Sequence, residues 1–394
     1  MSSWFALASA FGWIVVVVLA SRLRGRVFAT FVAVLLGIHV AASTAMLSTF
    51  ARVWPLYSAL QVVVFIHFSV LSRPKMRSLS YRMLISVPAS WFVAATFLAW
   101  PWAFLKAVGV HPWLPWLPYA VAVLGALDSL FAREEVVDIV LDGESLAGLR
   151  RAPHGRGRAE RPLRIVQITD PHLGPFMSVT RLRRIAERAV ARQPDLILLT
   201  GDFLTMESQD SSRHLADALA PLRAYEGRVF ACRGNHDLEA PEVVATALAS
   251  AGVRLLVDES VRVETELGPI EVLGIDFRFR KRDEHMARVF AQNARRQGEL
   301  RITLLHDPGA FKLVPDGAAD LVLSGHTHGG QLGLLWLGLR ATIVSVLTSL
   351  PDHGFWGRGS NRLYVHRGTG HYGFPLRIGV PAEHSVLNVH WLPR

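Results

Sequence analysis

Two histidines flank Thr327 in the stretch Gly325-His326-Thr327-His328-Gly329-Gly330, which follows directly on the apolar run Leu321-Val322-Leu323. Residues two apart share a face in extended chain, and the glycines permit a tight turn, so two imidazoles converge on a small volume. Imidazole in that arrangement is a metal ligand or an ordinary turn histidine. Four upstream stretches end an apolar run in the same manner. They are Asp170-Pro171-His172, Gly201-Asp202, Gly234-Asn235-His236-Asp237 and His306-Asp307-Pro308. Singly, each has a plain explanation: an Asp after a strand caps a helix, an Asn beside glycine serves a turn, and a lone His is satisfied in the core. Together they supply Asp170, His172, Asp202, Asn235, His306, His326 and His328, a mixed nitrogen and oxygen set. Such a set suits Mn, Fe, Zn or Mg rather than a thiolate site. Two divalent ions about 3.5–4 Å apart, bridged by one carboxylate, activate water and neutralise a transferring phosphoryl group, so the chemistry expected is phosphoester hydrolysis.

The elements that must position these residues read as alternating strands and helices. Strands are expected at Arg164–Thr169, Asp195–Thr200, Arg228–Arg233, Arg301–Leu305 and Ala319–Leu323, each delivering ligands at its carboxyl end, where open α/β sheets carry their sites. Helices are expected over Val179–Ala191, Ser212–Arg223, Pro241–Ala251 and Glu284–Arg296. Val136–Leu141 reads as an edge strand, Val261–Glu266 and Ile270–Ile275 as further strands, and Leu363–His366 and Ser385–His390 as closing strands.

The ordered series Asp-x-His, Gly-Asp, Gly-Asn-His-Asp, His and Gly-His-x-His resembles the calcineurin-like metallophosphoesterase family over about Leu163–Leu392. The resemblance implies an α/β fold, a sandwich of two mixed sheets flanked by helices. It also implies one metal held by Asp170, His172 and His328, a second by Asn235, His306 and His326, and Asp202 bridging them, with manganese the expected ion. His236 would stand beside the leaving oxygen as general acid or transition-state donor, oriented by Asp237. Pro171 occupies a position that is more often Leu in that family, and no loss of activity is expected from it. The run from Tyr364 to Glu383 is similar to the closing segment of the membrane-attached branch of the family, which includes enzymes acting on lipid-linked pyrophosphates. There Gly368 and Gly370 could turn backbone N–H groups toward phosphate, with Arg367 and Arg377 as added donors and His371 near substrate. The two arginines could instead pair with Glu383 or another carboxylate.

Between these motifs, Leu332–Leu350 is apolar apart from Arg340 and reads either as a buried helix or as a lip that dips into a membrane interface. The membrane question arises from composition as well. The chain has 394 residues, is 51% hydrophobic and has no Asp or Glu before Asp128. Its charge-free intervals Ser2–Ser21, Val27–Ala51, Val53–Ser72, Met83–Leu105 and Ala107–Leu127 predict about five spans, since about 20 residues of helix cross the hydrocarbon core. Arg22, Arg24 and Arg26, then Arg73, Lys75, Arg77 and Arg82, fall in alternate loops, which by the positive-inside rule places the catalytic part in the cytoplasm if all five spans cross and on the other side if the fifth does not. The expected organisation is a helical membrane domain over 1–132, an edge strand and basic linker over 133–163, and a metallophosphoesterase domain over 164–394. Much of the net charge of +10 lies in the membrane loops and in the Arg-rich stretch Arg150–Arg161, so anionic lipid is the expected partner and nucleic acid is not. The substrate expected is a lipid or lipid-linked phosphate or pyrophosphate; a soluble nucleotide diester and a non-catalytic sensor are the alternatives, and oligomeric state stays open. Cys232 stands alone, which excludes an internal disulfide.

Overall fold

The computed structural model describes residues 2–141, 143–153, 161–210, 212–371 and 373–391. Two compact units emerge: Met1–Leu130 with Met206–Asp210 and Gly373–Leu376, and the rest of the chain.

Among the described residues, three stretches of the first unit are long and apolar enough to cross a membrane: Ser3–Leu23, Arg26–Leu71 and Leu79–Leu98. The second is divided by a 3-10 segment, Leu47–Val53, in which Phe50 leaves helical geometry, so it comprises the separate helices Arg26–Met46 and Trp54–Leu71. The expected fifth span does not form as one helix. Ala107–Leu127 instead contains the end of a short helix, Trp100–Ala107, and the 12-residue helix Leu117–Asp128. At 1.5 Å per residue the latter is about 18 Å long, short of a hydrocarbon core of about 30 Å. Pro112, Pro115 and Pro118 crowd the start and leave no room for a longer helix. Inside the bundle His39 meets Thr96 at 2.7 Å and Gln61 at 3.1 Å, which satisfies polar groups that lipid could not. Arg24 donates to the carbonyls of Leu71 and Met206 and to Oε1 of Gln209, drawing Met206–Asp210 onto the basic loops.

The second unit is an α/β sandwich. One sheet has six strands in the order β1-β13-β3-β4-β5-β6 and the other seven, β2-β11-β12-β10-β9-β8-β7. The first is built from β1 (Ala132–Leu141), β3 (Leu163–Ile168), β4 (Leu196–Leu199), β5 (Val229–Ala231), β6 (Arg254–Leu255) and β13 (Ala382–Trp391). The second uses β2 (Leu146–Arg151), β7 (Glu259–Thr265), β8 (Gly268–Ile275), β9 (Leu300–Leu305), β10 (Leu321–Ser324), β11 (Gly354–Gly359) and β12 (Asn361–Val365). Strands β3 to β6 pair in parallel, and so do β8, β9, β10 and β12. Leu196-Ile-Leu-Leu199 is buried throughout because sheet covers one face and helices the other, which explains its unbroken apolar run. Between the sheets lie Ile165, Leu198, Phe230, Ile302 and Leu323; Leu182, Ile185, Leu215 and Leu248 cover the first sheet from outside.

Helices form at Val179–Ala191, Ser212–Leu219, Pro241–Ser250 and Arg282–Gln292, close to expectation. The second stops early because Pro221 converts its end to a 3-10 turn, Ala220–Tyr225. Arg150 and Arg151, expected in a flexible linker, are strand residues paired with Gly357 and Trp356. Arg151 also stacks over the Trp356 ring at 4.6 Å and meets Asp352 at 2.8 Å. Residues 154–160 of that expected linker lie outside the described residues.

Candidate metal centre

The residues after β3, β4, β5, β9 and β10 converge, because parallel strands of both sheets point their carboxyl ends the same way. Two clusters of ligand atoms result, Asp170 with His172 and His328, and Asp202 with His306 and His326; within each, the ligand atoms lie within 4.8 Å of one another. Asp202 Oδ2 stands 3.3 Å from His306 Nε2 and 3.8 Å from His172 Nε2, so this carboxylate faces both clusters. A binuclear metal-binding cluster is therefore present.

Backbone geometry brings the ligands together at a cost. Asp170, His172, Asp202, His326 and His328 all have φ between 47° and 68°. Non-glycine residues seldom occupy that region, and each such residue costs of order 1–3 kcal/mol. Glycine supplies the space. A Cβ on Gly325 would lie 2.0 Å from Asp170 Oδ2, and one on Gly234 would lie 2.1 Å from Asp202 Oδ1. Each of these glycines lets one strand end approach the carboxylate delivered by another.

The donor set fits divalent cations. His172 Nε2 and His328 Nε2 are 3.2 Å apart, as are His306 Nε2 and His326 Nδ1, so ring nitrogens point at one another in pairs. His306 Nδ1 lies 2.6 Å from the Thr200 carbonyl, an outer hydrogen bond that directs Nε2 inward as a ligand. Oδ1 of Asn235 is buried with no hydrogen-bond partner, an acceptor awaiting a cation. Electrostatics agree. Burial opposes charge on His306, yet Asp202 and Asp170 raise its pKa to about 10. Burial alone would raise Asp202, but His306 and His172 hold it well below the carboxylate range. Burial lowers His172 to about 3, against the pull of Asp202. A site whose carboxylates draw a proton onto one imidazole offers the same attraction to a metal ion.

Asp237, expected to orient His236, is fully buried and accepts from backbone. Its Oδ2 accepts from the backbone N–H of Asp202 and of Gly234 and its Oδ1 from that of Phe203, each at 2.8 Å, so it fixes the loop carrying the shared carboxylate. His236 Nδ1 instead lies 2.8 Å from Glu239 Oε1, on a 3-10 turn three residues on, a spacing the sequence already held. The His236 ring stands 5.6 Å from that of His172, and its backbone N–H donates to Asp202 Oδ1 at 2.9 Å.

Of the five residues expected near substrate, Gly368, Gly370 and Arg377 pack against the ligands His328 and Asp170. Gly368 donates its N–H to His366 Nδ1 at 2.9 Å, and a Cβ there would lie 2.7 Å from His328 Nδ1. Gly370 donates its N–H to the Asp170 carbonyl at 3.0 Å. Those N–H groups are committed inside the protein, which corrects the phosphate-cradle expectation. Arg367 pairs with Glu383 at 2.9 Å and Glu135 at 2.5 Å, as the structural alternative held. Arg377 is fully buried; it donates to the carbonyls of Arg367, Gly370 and Val380 and lies 3.3 Å from His328 Nδ1. His371 is buried with its ring 4.9 Å from that of Phe176, and its Nε2 has no hydrogen-bond partner. Sequence reasoning missed Phe277, whose ring lies 6.2 Å from those of both His306 and His326. It also missed Thr169, whose hydroxyl donates to Asp170 Oδ2 at 2.6 Å.

Leu332–Leu350 is not a buried helix. It contains a 3-10 turn, Leu335–Leu337, and a five-residue helix, Ile343–Leu347, neither with a buried residue.

Residues 163–330 match the calcineurin-like phosphoesterase family. Phosphodiesterase YaeI of Escherichia coli is 28% identical over 232 residues, 58% of this chain and 82% of that protein. A transmembrane protein with metallophosphoesterase domain from Danio rerio is 32% identical over 234 residues, 56% of this chain but only 52% of its own length. UDP-2,3-diacylglucosamine pyrophosphatase LpxG of Chlamydia muridarum is 27% identical over 283 residues, 59% of this chain and 84% of that protein.

Proposed function

Because the chain carries a calcineurin-like metallophosphoesterase domain behind an N-terminal region of membrane-spanning character, we propose that it hydrolyses a phosphodiester or pyrophosphate bond of a lipid or lipid-linked substrate at the membrane surface. The observation that carries this reading is the pair of ligand clusters meeting at Asp202, in a chain with its own apolar spans. Asp170, His172 and His328 would hold one divalent ion, Asn235, His306 and His326 the other, and Asp202 both. Two such ions, manganese being our choice for this donor set, supply an activated water and charge neutralisation at phosphorus.

The protein's own part is to orient and to move a proton. Asp237 holds the backbone of Asp202, Phe203 and Gly234 through three N–H bonds. Glu239 fixes the His236 ring at Nδ1, and His236 is the group assigned to donate a proton to the departing oxygen. The lipid class is favoured by the spans and by the name of LpxG, a pyrophosphatase for a diacylated sugar nucleotide. A cytoplasmic position follows from the basic loops only if the stretch 107–127, broken into short helices, still carries the chain across the membrane.

The test is a panel of lipid pyrophosphates and phosphodiesters against a soluble nucleotide diester, with protein in nanodiscs and Asp202→Asn as the reference. Lipid substrates are expected to turn over faster, and Asp202→Asn to be inactive. Turnover of the soluble diester alone would sink the lipid class, and an active Asp202→Asn would sink the two-metal assignment.

A further inference from the structure

The segment after the His326–His328 turn presents its apolar side chains outward on a held backbone. Leu337, Val346 and Leu347 are each at least 72% exposed, with Leu334, Trp336 and Leu339 exposed beside them. Yet the backbone is pinned: Gly333 N–H donates to the Ile378 carbonyl at 2.9 Å, Leu334 to Ala341 at 2.8 Å, and Ile343 to Leu332 at 2.9 Å. Thr342 and Ser345 form a capping box on Ile343–Leu347, and the Thr342 hydroxyl also donates to Asp352 Oδ2 at 2.7 Å. With its polar backbone satisfied and its apolar side chains in water, the segment forgoes about 1.5–3 kcal/mol for each large side chain left exposed. An exposed apolar patch of this kind marks a contact surface.

A second loop continues the same rim. Leu350 packs beside Gly309, where a Cβ would lie 3.1 Å from Leu350 Cδ2. Gly309 N–H bonds Asp307 Oδ1, Asp307 Oδ2 pairs with Arg282 at 2.8 Å, and Arg282 lies over the Phe277 ring at 5.7 Å. Two residues past Phe277, Phe279 is 71% exposed between Arg278 and Arg280. The lip itself contains the exposed Arg340 and no acidic residue. The like charges of its basic residues work against pairing with a second copy, whereas an apolar and basic rim suits the headgroup zone of an anionic bilayer. A chain anchored by its own spans meets that bilayer at high effective concentration.

We propose that residues 334–350 and 277–281 form a monotopic rim that inserts into the interface of an anionic bilayer, beside the metal centre. This holds whatever the substrate, so it stands or falls separately from the lipid reading.

Cys232 is the only cysteine and is buried, so single nitroxide labels can be placed at 337, 346 or 279 of the full chain, with a control at the exposed Gln297 before β9. In nanodiscs containing phosphatidylglycerol, power saturation compares collisions with oxygen, which partitions into lipid, against an aqueous nickel chelate. The rim labels are expected to shift toward oxygen relative to 297. Nickel accessibility equal to that at 297 would overturn the proposal. Low collision with both reagents would also overturn it, because the rim would then be covered by protein. Using three separate positions keeps one misfolded variant from deciding the result. Rim insertion without lipid hydrolysis would leave this inference standing and remove the proposed substrate class; the reverse result would do the opposite.

Discussion

Replacing Asp237 by Asn tests whether the loop carrying Asp202 is held from behind. The carboxylate accepts three backbone N–H groups, two at Oδ2 and one at Oδ1, and is fully buried. Asn keeps one acceptor oxygen. Turned to retain the N–H groups of Asp202 and Gly234, it aims its amide hydrogens at the N–H of Phe203. One bond to a charged acceptor is lost, a buried donor is left unpaired, and the other two bonds weaken without the charge. Bonds to charged groups contribute about 1.5–3 kcal/mol each, so the net cost should be about 2–4 kcal/mol. For a domain of this size that corresponds to a fall in Tm of about 5–15 °C. Because the strain falls on the backbone of Asp202, turnover should drop about 100-fold, as for misplacement of a reacting group by about 1 Å. Melting of the purified protein in detergent and hydrolysis of bis-p-nitrophenyl phosphate are the assays. An Asn variant with wild-type melting and turnover would refute the bracing role, and with it the reason given for the Gly-Asn-His-Asp spacing.

Gly325→Ala would place a methyl 2.0 Å from Asp170 Oδ2. It should destabilise the domain by about 1–3 kcal/mol and release metal, measured by melting and by metal analysis, whereas the same change at Gly227, which has nothing within 4 Å of its Cβ, should retain metal. His236→Ala should slow turnover by about 10²–10⁴-fold while metal content stays at the wild-type level; loss of metal would give His236 a different role. Glu207, buried on the loop held by Arg24, has its pKa raised from 4.5 to about 7, by burial first and against the pull of Arg77 and Arg82. The folded state therefore holds this proton more tightly than the unfolded chain. Stability is greatest below pH 4.5 and falls by about 3 kcal/mol as pH rises through 7, if no other group titrates. Glu207→Gln should flatten the fall in Tm between pH 5 and pH 8, and an unchanged slope would show that another group carries it.

The sequence by itself marked the six residues that form the two ligand clusters. A buried parallel strand must be continuously apolar, and a metal ligand must be Asp, His or Asn, so each change from Leu196–Leu199 or Leu321–Leu323 to a ligand marks a strand end. Amphipathic periodicity likewise fixed Val179–Ala191, and charge-free length fixed the principal membrane helices. Strand β11, Gly354-Phe-Trp-Gly-Arg-Gly359, carried no such signal, because its glycines read as loop and its pairing with β2 and β12 joins distant parts of the chain. Only the tertiary structure decided that Arg377 lies against His328, that Asp237 holds the backbone of Asp202, Phe203 and Gly234, and that Leu332–Leu350 faces outward. Composition and spacing state what a residue can bond. Which partner it meets depends on chain folded against it from far away, as Asp202 meets His306 and Gly325 makes room for Asp170.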